Sequence, residues 1–176
     1  MSERKRALHA RRSRFLYALA VALAAWLVVI FVFSAQPAAE SGQVSGGISY
    51  RIVSLFNRAL HFAESEEALL AAAAQIDFPV RKCAHMSEYG VLAIMIFALV
   101  ACFRWRIGAW GYFLALMLTF LYACTDEYHQ RFVPGRSGSF TDVMIDTAGA
   151  AIALVLLFLF LAVYRCRRRR RARRER

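Results

Sequence analysis

The sequence lacks the short motifs that mark the most familiar enzyme sites. Its 176 residues contain no HExxH, no GxSxG and no PSGH string, and its four cysteines form no CxxC pair. These absences exclude the common zinc-peptidase and serine-hydrolase patterns. Internal repeats are missing as well, so the length predicts a single domain.

Acidic residues are also few, at 12 against 23 lysines and arginines, which gives a net charge of +11. Most of the basic residues lie in three short segments: before Phe15, at residues 104 and 106, and from Arg165 onward. A nucleic-acid-binding protein would instead spread its positive charge over one face. Basic segments that alternate with acidic ones indicate membrane topology, so we expect no nucleic-acid partner.

Long apolar runs dominate the rest of the chain, of which 60% is hydrophobic. Four runs approach the ~20 residues that a bilayer core requires, at about 15–33, 82–103, 107–125 and 140–164. The first is longer than the apolar core of a typical signal peptide, which favours a membrane anchor over a cleaved leader.

These runs predict an all-α integral membrane protein with four transmembrane helices and both termini in the cytoplasm, following the positive-inside rule. We expect a basic cytoplasmic tail at 1–14, a four-helix transmembrane domain at 15–164 and an arginine-rich cytoplasmic tail at 165–176. The expected location is the bacterial cytoplasmic (inner) membrane, in multi-pass form.

The segment between the first two spans is predicted to lie outside the cytoplasm. Gly46-Gly47 indicates a turn, and the apolar spacing from Ile48 onward predicts an extracytoplasmic amphipathic helix. This helix could cap the bundle or gate a substrate. A second short helix is predicted to start at Ser65, with Pro79 in the first turn of the next span.

Ionisable residues cluster at the outer ends of three predicted spans. Lys82, His85 and Glu88 follow one another three apart, along one side of a helix. Topology places them beside the stretch from Thr125 to Asp146. A disulfide between Cys83 and Cys124 would be possible at this level.

The stretch 125–146 carries the second half of this polar set. Asp126 stands at helical-neighbour spacing from His129 and Gln130, and Glu127 forms an i, i+4 pair with Arg131. Ser139 stands three residues before Asp142, as in a capping box, and Asp146 lies one turn further on. Small residues at 149, 150 and 153 would let another helix approach closely.

Such groups could bind a divalent metal or act as general acid and base, and the sequence leaves the choice of metal or cofactor open. The candidate catalytic residues are His85, Glu88, Asp126, Glu127 and His129. The candidate ligand-binding residues are Arg81, Lys82, Gln130, Arg131, Arg136, Asp142 and Asp146. Guanidinium groups suit phosphate, so the natural ligand at an outer leaflet is an anionic lipid.

Three segments resemble the VanZ-like family of small bacterial membrane proteins: FSAQP at 33–37, RKCAHMSEYGVL at 81–92 and TDEYHQRFVPGRSGSFTDVMIDTAGA at 125–150. The resemblance implies four transmembrane helices and a link to glycopeptide tolerance, chiefly to teicoplanin, at the cell envelope. It carries over as characteristic positions Lys82, His85, Glu88, Asp126, Glu127, His129, Gln130, Arg136, Asp142 and Asp146. The arginine tail and the acidic residues 64–67 depart from the family pattern.

The leading hypothesis is therefore an outward-facing polar pocket that binds or processes an anionic envelope lipid, such as a polyprenyl phosphate or phospholipid, or a cell-wall precursor. Two alternatives belong to other classes. One is a proton-coupled transporter or flippase component, which would need ionisable groups near mid-membrane. In this sequence those groups stop in the outer quarter, which counts against this alternative. The other is a non-catalytic membrane partner protein that acts through its outer helix and arginine tail.

Overall fold

The computed structural model describes residues 3–63, 65–103 and 108–174, and the regular elements in these ranges are all α-helices. They are α1 (Glu3–Ser34), α2 (Ala38–Leu60), α3 (Glu66–Phe103), α4 (Ala109–Gln130) and α5 (Phe140–Arg174). The predicted all-α fold is confirmed. The short basic loop predicted around residues 104 and 106 lies outside the described residues.

Four helices contain stretches that are long and apolar enough to cross a membrane, which confirms the predicted number of spans. These stretches are Ala10–Ser34, Glu66–Phe103, Ala109–Gln130 and Phe140–Arg173. α2 does not qualify. It packs on the long helix α3, which contacts all four other helices and forms the centre of the bundle.

Contacts between helices fix their directions. Lys82 of α3 pairs with Asp142 in the first turn of α5, and further along both helices Gly90 lies close to Ala153, so α3 and α5 run parallel. Arg12 in α1 donates a hydrogen bond to the carbonyl of Cys102, which places the start of α1 beside the end of α3. The bundle thus has a polar end, which holds the α4–α5 loop, and an arginine end, which holds Arg12 and residues 165–173.

Two apolar clusters fill the bundle between these ends. The cluster nearer the polar end is formed by Ile30, Tyr89, Leu92, Ala123 and Val143. The second lies nearer the arginine end and contains Ala93, Phe97, Ala115, Ala150 and Leu154. Tyr112 extends it, because its ring stacks on Phe97 with centroids 4.2 Å apart.

α3 and α5 cross at small residues. A Cβ atom at Gly149 would collide with the backbone of Met86, and one at Gly90 would lie 3.1 Å from the Cβ of Ala153. Backbones can approach this closely only where side chains are absent or small. The small residues predicted to admit another helix do lie at this crossing, and the helix they admit is α3.

The outer segment differs from its prediction at α2. The helix begins at Ala38 and continues through Gly46 and Gly47, so the predicted turn there is wrong. Its buried side is formed by Ser45, Ser49 and Val53, and small side chains of this kind let α2 lie close to α3. A hydrogen bond of 3.3 Å from Ser49 Oγ to Asp77 Oδ1 joins the two helices.

The prediction of a second short helix is right only in part. A helix does begin beside Ser65, whose Oγ accepts a hydrogen bond from the backbone N–H of Ala68 at 3.2 Å, but it is not a separate short helix. α3 runs without interruption from Glu66 to Phe103, with Pro79 inside it. Pro79 cannot donate the usual backbone hydrogen bond to the preceding turn, yet packing against α2 and α5 keeps the helix continuous. At ~1.5 Å per residue this helix exceeds a ~30 Å membrane core, so its first turns extend beyond the other spans.

Candidate functional site

The polar end of the bundle is held together first by an ion pair between α3 and α5. Lys82 Nζ lies 2.6 Å from Asp142 Oδ1, and the two side chains are 20% and 28% exposed. An ion pair that is buried to this degree is stronger than an ion pair on an open surface. The contact fixes the start of α5 against the side of α3.

The start of α5 is capped by Ser139, as predicted, but with a different acid. Ser139 Oγ accepts a hydrogen bond from the backbone N–H of Thr141 at 3.2 Å. The backbone N–H of Ser139 itself donates to Glu127 Oε2 at 2.9 Å. The acid of the predicted capping box is therefore Glu127, from α4, which leaves Asp142 to pair with Lys82.

Glycine makes this cap possible. A Cβ atom at Gly138 would collide with the carbonyl oxygen of Glu127, so the loop can turn back against the end of α4 only at this residue type. Glu127 is 6% exposed and faces α5, whereas Arg131 is exposed to the outside. The predicted Glu127–Arg131 surface pair is therefore not formed.

A chain of hydrogen bonds lies behind the ion pair. Asp126 Oδ2 accepts from the Tyr89 hydroxyl at 2.9 Å and from Gln130 Nε2 at 3.2 Å. Asp126 is 5% exposed, so these two donors offset the loss of water around its carboxyl group. The arrangement makes Asp126 a supporting residue beneath the site.

Arg136 ties the α4–α5 loop to the connection between α1 and α2. Its Nε and Nη2 donate to the carbonyls of Gln36 and Phe33 at 2.9 and 3.1 Å. Burial lowers the pKa of Arg136 from its ordinary value, and the charge of Asp126 opposes that effect. The conformation of the FSAQP segment therefore depends on the guanidinium group of Arg136, which comes from the α4–α5 loop.

These contacts enclose a polar cavity of about 280 Å³ between α3, the α4–α5 loop and the start of α2. Its charged lining is mixed: Arg81, Lys82, His85 and Arg136 contribute nitrogen, and Glu127, Asp142 and Asp146 contribute carboxylates. An anion entering this cavity would meet several cations, and the carboxylates would hold those cations in place.

A second cavity, of about 190 Å³, adjoins the first beneath α2. Its walls are mostly apolar and include Phe33, Val44, Ile48 and Val80. The two cavities share the residues Ser41, Arg81, His85 and Arg136. The pair therefore forms one amphiphilic space, with its basic side chains at the junction.

Arg81 differs from the other cations at this junction. Lys82 is paired with Asp142, and Arg136 is engaged by two carbonyls and by Gln130. Within the described part of the chain, the Arg81 side chain makes neither a hydrogen bond nor an ion pair. Its guanidinium group is therefore available to a ligand.

A model of the VanZ/LLP1 family matches residues 19–161. The chain belongs to the VanZ/LLP1 family. Neither the curated proteins nor the solved structures yielded a match.

Most of the predicted site residues of this VanZ/LLP1 protein line the two cavities. They are Arg81, Lys82, His85, Glu88, Glu127, Gln130, Arg136, Asp142 and Asp146. Asp126 lies behind the lining, as described above. His85 Nδ1 is 3.9 Å from Glu88 Oε2, too far for a hydrogen bond.

Two predicted residues lie elsewhere. The ring of His129 packs against Phe31 of α1, with centroids 4.9 Å apart, and its buried Nδ1 has no hydrogen-bond partner among the described residues. Arg131 is exposed at the end of α4 and lines neither cavity. Asp126 and His129 are three residues apart in α4, as predicted, but their side chains contact different neighbours.

Sequence reasoning did not identify the contributions of Tyr89 and of the α1–α2 connection. Tyr89 lies inside the RKCAHMSEYGVL segment and is fully buried. A tyrosine within a predicted span carries a hydroxyl group that needs a hydrogen-bond partner when it is buried, and this is the signal that could have identified it. The carbonyls of Phe33 and Gln36 could not have been found from residue types, because every residue carries a carbonyl.

The described residues give no geometric support for metal binding. Among them, no group of three or more histidine, cysteine, aspartate or glutamate side chains is placed to hold an ion.

All four cysteines are free, so the disulfide between Cys83 and Cys124 is absent from this structure.

Proposed function

We propose that the protein binds an anionic lipid of the bacterial envelope, with a phosphate or pyrophosphate group in the polar cavity and hydrocarbon in the adjoining apolar cavity. The observation that carries this proposal is the pair of joined cavities with Arg81 at their junction. A water-soluble anion would need only the first cavity, and a neutral lipid only the second.

The number of hydrogen-bond donors in the polar cavity favours a phosphate group over a carboxylate group in the ligand. A phosphate presents several oxygens, so it can accept from the free Arg81 guanidinium and from further donors such as His85 and Lys82. Lys82 would keep its contact with Asp142 while its remaining N–H groups face the ligand. No rearrangement of the α3–α5 pair is needed.

The direct test is binding of farnesyl phosphate to the purified protein in detergent, measured by isothermal titration calorimetry. Arg81→Gln should weaken binding by roughly tenfold or more, because a hydrogen bond to a charged group contributes about 1.5–3 kcal/mol. Arg131→Gln is the matched control, since it removes the same charge at the same end but outside both cavities.

Two further probes separate the halves of the ligand. Inorganic phosphate and farnesol should each bind more weakly than farnesyl phosphate, because each fills one cavity only. Equal loss in the Arg81→Gln and Arg131→Gln variants, or equal affinity for farnesyl phosphate and farnesol, would contradict the proposal.

We extend the proposal to processing of the lipid, because His85 and Glu127 line the same cavity as the cations and can exchange protons. Release of inorganic phosphate from farnesyl phosphate, or its absence, decides between turnover and binding alone.

A link to glycopeptide tolerance is proposed from family membership. Teicoplanin sensitivity of a deletion strain, complemented by the wild type and by Arg81→Gln, tests it.

Buried carboxylates support a second candidate, a proton-coupled transporter or flippase component. Asp126, Glu127 and Asp146 are 5%, 6% and 2% exposed and lie between α3, α4 and α5. Protons could pass between such groups. Lipid translocation in vesicles that depends on a proton gradient would favour this candidate, whereas gradient-independent binding favours the first.

A further inference from the structure

The arginine end contains a second amphiphilic surface, formed largely by one face of α5. An apolar groove of about 540 Å³ lies between α4 and α5 and also touches Phe97 of α3. From α5 it is lined by Ala151, Leu154, Val155, Phe158, Leu161, Ala162 and Arg165. These positions recur every three or four residues, which is the spacing of a single helix face.

The same face continues into the arginine segment. Arg165, Arg169, Arg170 and Arg173 line a cleft with Ala162 and Cys166, and Ala162 and Arg165 belong to both the groove and the cleft. Arg167 and Arg171 stand two and six residues after Arg165, on the other side of the helix. Four guanidinium groups therefore stand directly beyond one end of the groove.

From these observations we infer a binding site for an anionic phospholipid of the membrane leaflet at the arginine end. One acyl chain would lie in the groove between α4 and α5, and the lipid phosphate would contact Arg165 and Arg169. This site is separate from the cavities at the polar end and does not depend on the function proposed for them.

Length agrees with this assignment. Along α5 the apolar part of the face, from Ala151 to Ala162, extends about 17 Å, which is close to half of a ~30 Å hydrocarbon core. An acyl chain of one leaflet would therefore fill the groove and bring its headgroup to Arg165. A soluble anion would leave the groove empty, and a neutral lipid would leave the arginines without a partner.

Charge agrees as well. Basic pockets between transmembrane helices attract anionic headgroups, and each arginine near the membrane surface contributes favourably to headgroup binding.

The rings of Phe97, Tyr112 and Phe158 line the groove, with Phe97 and Tyr112 stacked and Tyr112 edge-on to Phe158 at 5.9 Å. A floor built from packed rings keeps its shape when the groove is empty.

The test is native mass spectrometry of the full chain in detergent, titrated with dioleoylphosphatidylglycerol and with dioleoylphosphatidylcholine. The wild type should bind the anionic lipid more tightly. The double variant Arg165→Gln, Arg169→Gln should lose that preference by about tenfold or more, because both guanidinium groups would donate charge-assisted hydrogen bonds to the lipid phosphate.

The matched control is Arg167→Gln, Arg171→Gln, which removes the same charge from the other side of the helix. It should keep the preference to within about twofold, because these two arginines lie outside the cleft and act on the headgroup only through screened attraction at longer range. Equal losses in the two double variants would overturn the site and leave only a general attraction by the arginine segment.

A second pair of variants tests the groove. Ala162→Phe fills it, whereas Val163→Phe adds the same ring at the next position, which does not line it. We expect Ala162→Phe to weaken binding of the anionic lipid severalfold and Val163→Phe to leave it unchanged. Equal binding by these two variants would overturn the proposal, and this comparison decides even where a double variant does not purify as a single species.

Discussion

Arg136 shows how a single side chain connects two distant segments of the chain. Its guanidinium group donates to the carbonyls of Gln36 and Phe33, and its Nη1 lies 3.5 Å from Gln130 Oε1. Beside it, the backbone N–H of Ala38 donates to the carbonyl of Pro134 at 3.1 Å. The α1–α2 connection is thus held by the α4–α5 loop as well as by backbone hydrogen bonds to the end of α1.

Arg136→Lys should loosen this connection while keeping the charge, because an ammonium group cannot match the fork geometry of guanidinium. We expect a loss of about 1–3 kcal/mol in stability and faster amide exchange in residues 33–38. Hydrogen exchange with mass spectrometry measures the second effect. Arg131→Lys, at an exposed position, should change neither.

The capping of α5 shows where sequence reasoning at this scale stops. The spacing of Ser139 and Asp142 predicts a capping box, and Ser139 does cap the helix. The acid comes from Glu127, however, because Gly138 allows the loop to fold back onto the end of α4. Pairing across a loop depends on its path in space, which spacing within one helix does not contain.

At the scale of whole helices, the crossing of α3 and α5 organises the site. It lies one to two turns beyond Lys82 and Asp142, so the distance between the backbones at Gly149 sets how the ion-paired residues meet. The crossing therefore positions the wall of the polar cavity that α3 and α5 form.

Gly149→Ala should separate these two helices, because the added methyl group would collide with the backbone of Met86. We expect destabilisation of about 1–3 kcal/mol, seen as a lower midpoint of thermal unfolding in detergent. Gly42→Ala in α2 is the control, since its Cβ would meet no atom within 4 Å. Alanine there should be neutral or stabilising by up to ~1 kcal/mol. A Gly149→Ala midpoint equal to that of Gly42→Ala would contradict the close crossing.

Long apolar runs predicted the membrane spans well, because burial in lipid requires length and hydrophobicity that the sequence shows directly. Helix continuity was harder to predict. Gly46-Gly47 and Pro79 are ordinary break signals, yet α2 and α3 pass through them because packing between these helices outweighs local preference. The apolar cavity beneath α2 was missed for the same reason, since it exists only where α2 lies on α3.

For the molecule as a whole, the two ends differ in chemistry. The polar end holds both joined cavities and a mixture of acids and bases, whereas the arginine end holds a one-sided positive charge. The orientation of the protein decides which membrane leaflet supplies the lipid in each of the two proposals. The positive-inside rule predicts that the arginine end lies in the cytoplasm and that the polar cavities lie at the outer leaflet.

Two exposed positions at opposite ends allow this orientation to be measured. Cys166 lies in the arginine segment of α5, and Ser137 lies in the α4–α5 loop. In a background with the other three cysteines changed to alanine, we expect Cys166 to react with a membrane-impermeant maleimide only after the cells are permeabilised. With Cys166 also changed to alanine, Ser137→Cys should react in intact cells, because the loop would face outward. The reverse pattern would place the polar cavities on the cytoplasmic side, where a lipid-linked phosphate at Arg81 would have to come from the inner leaflet.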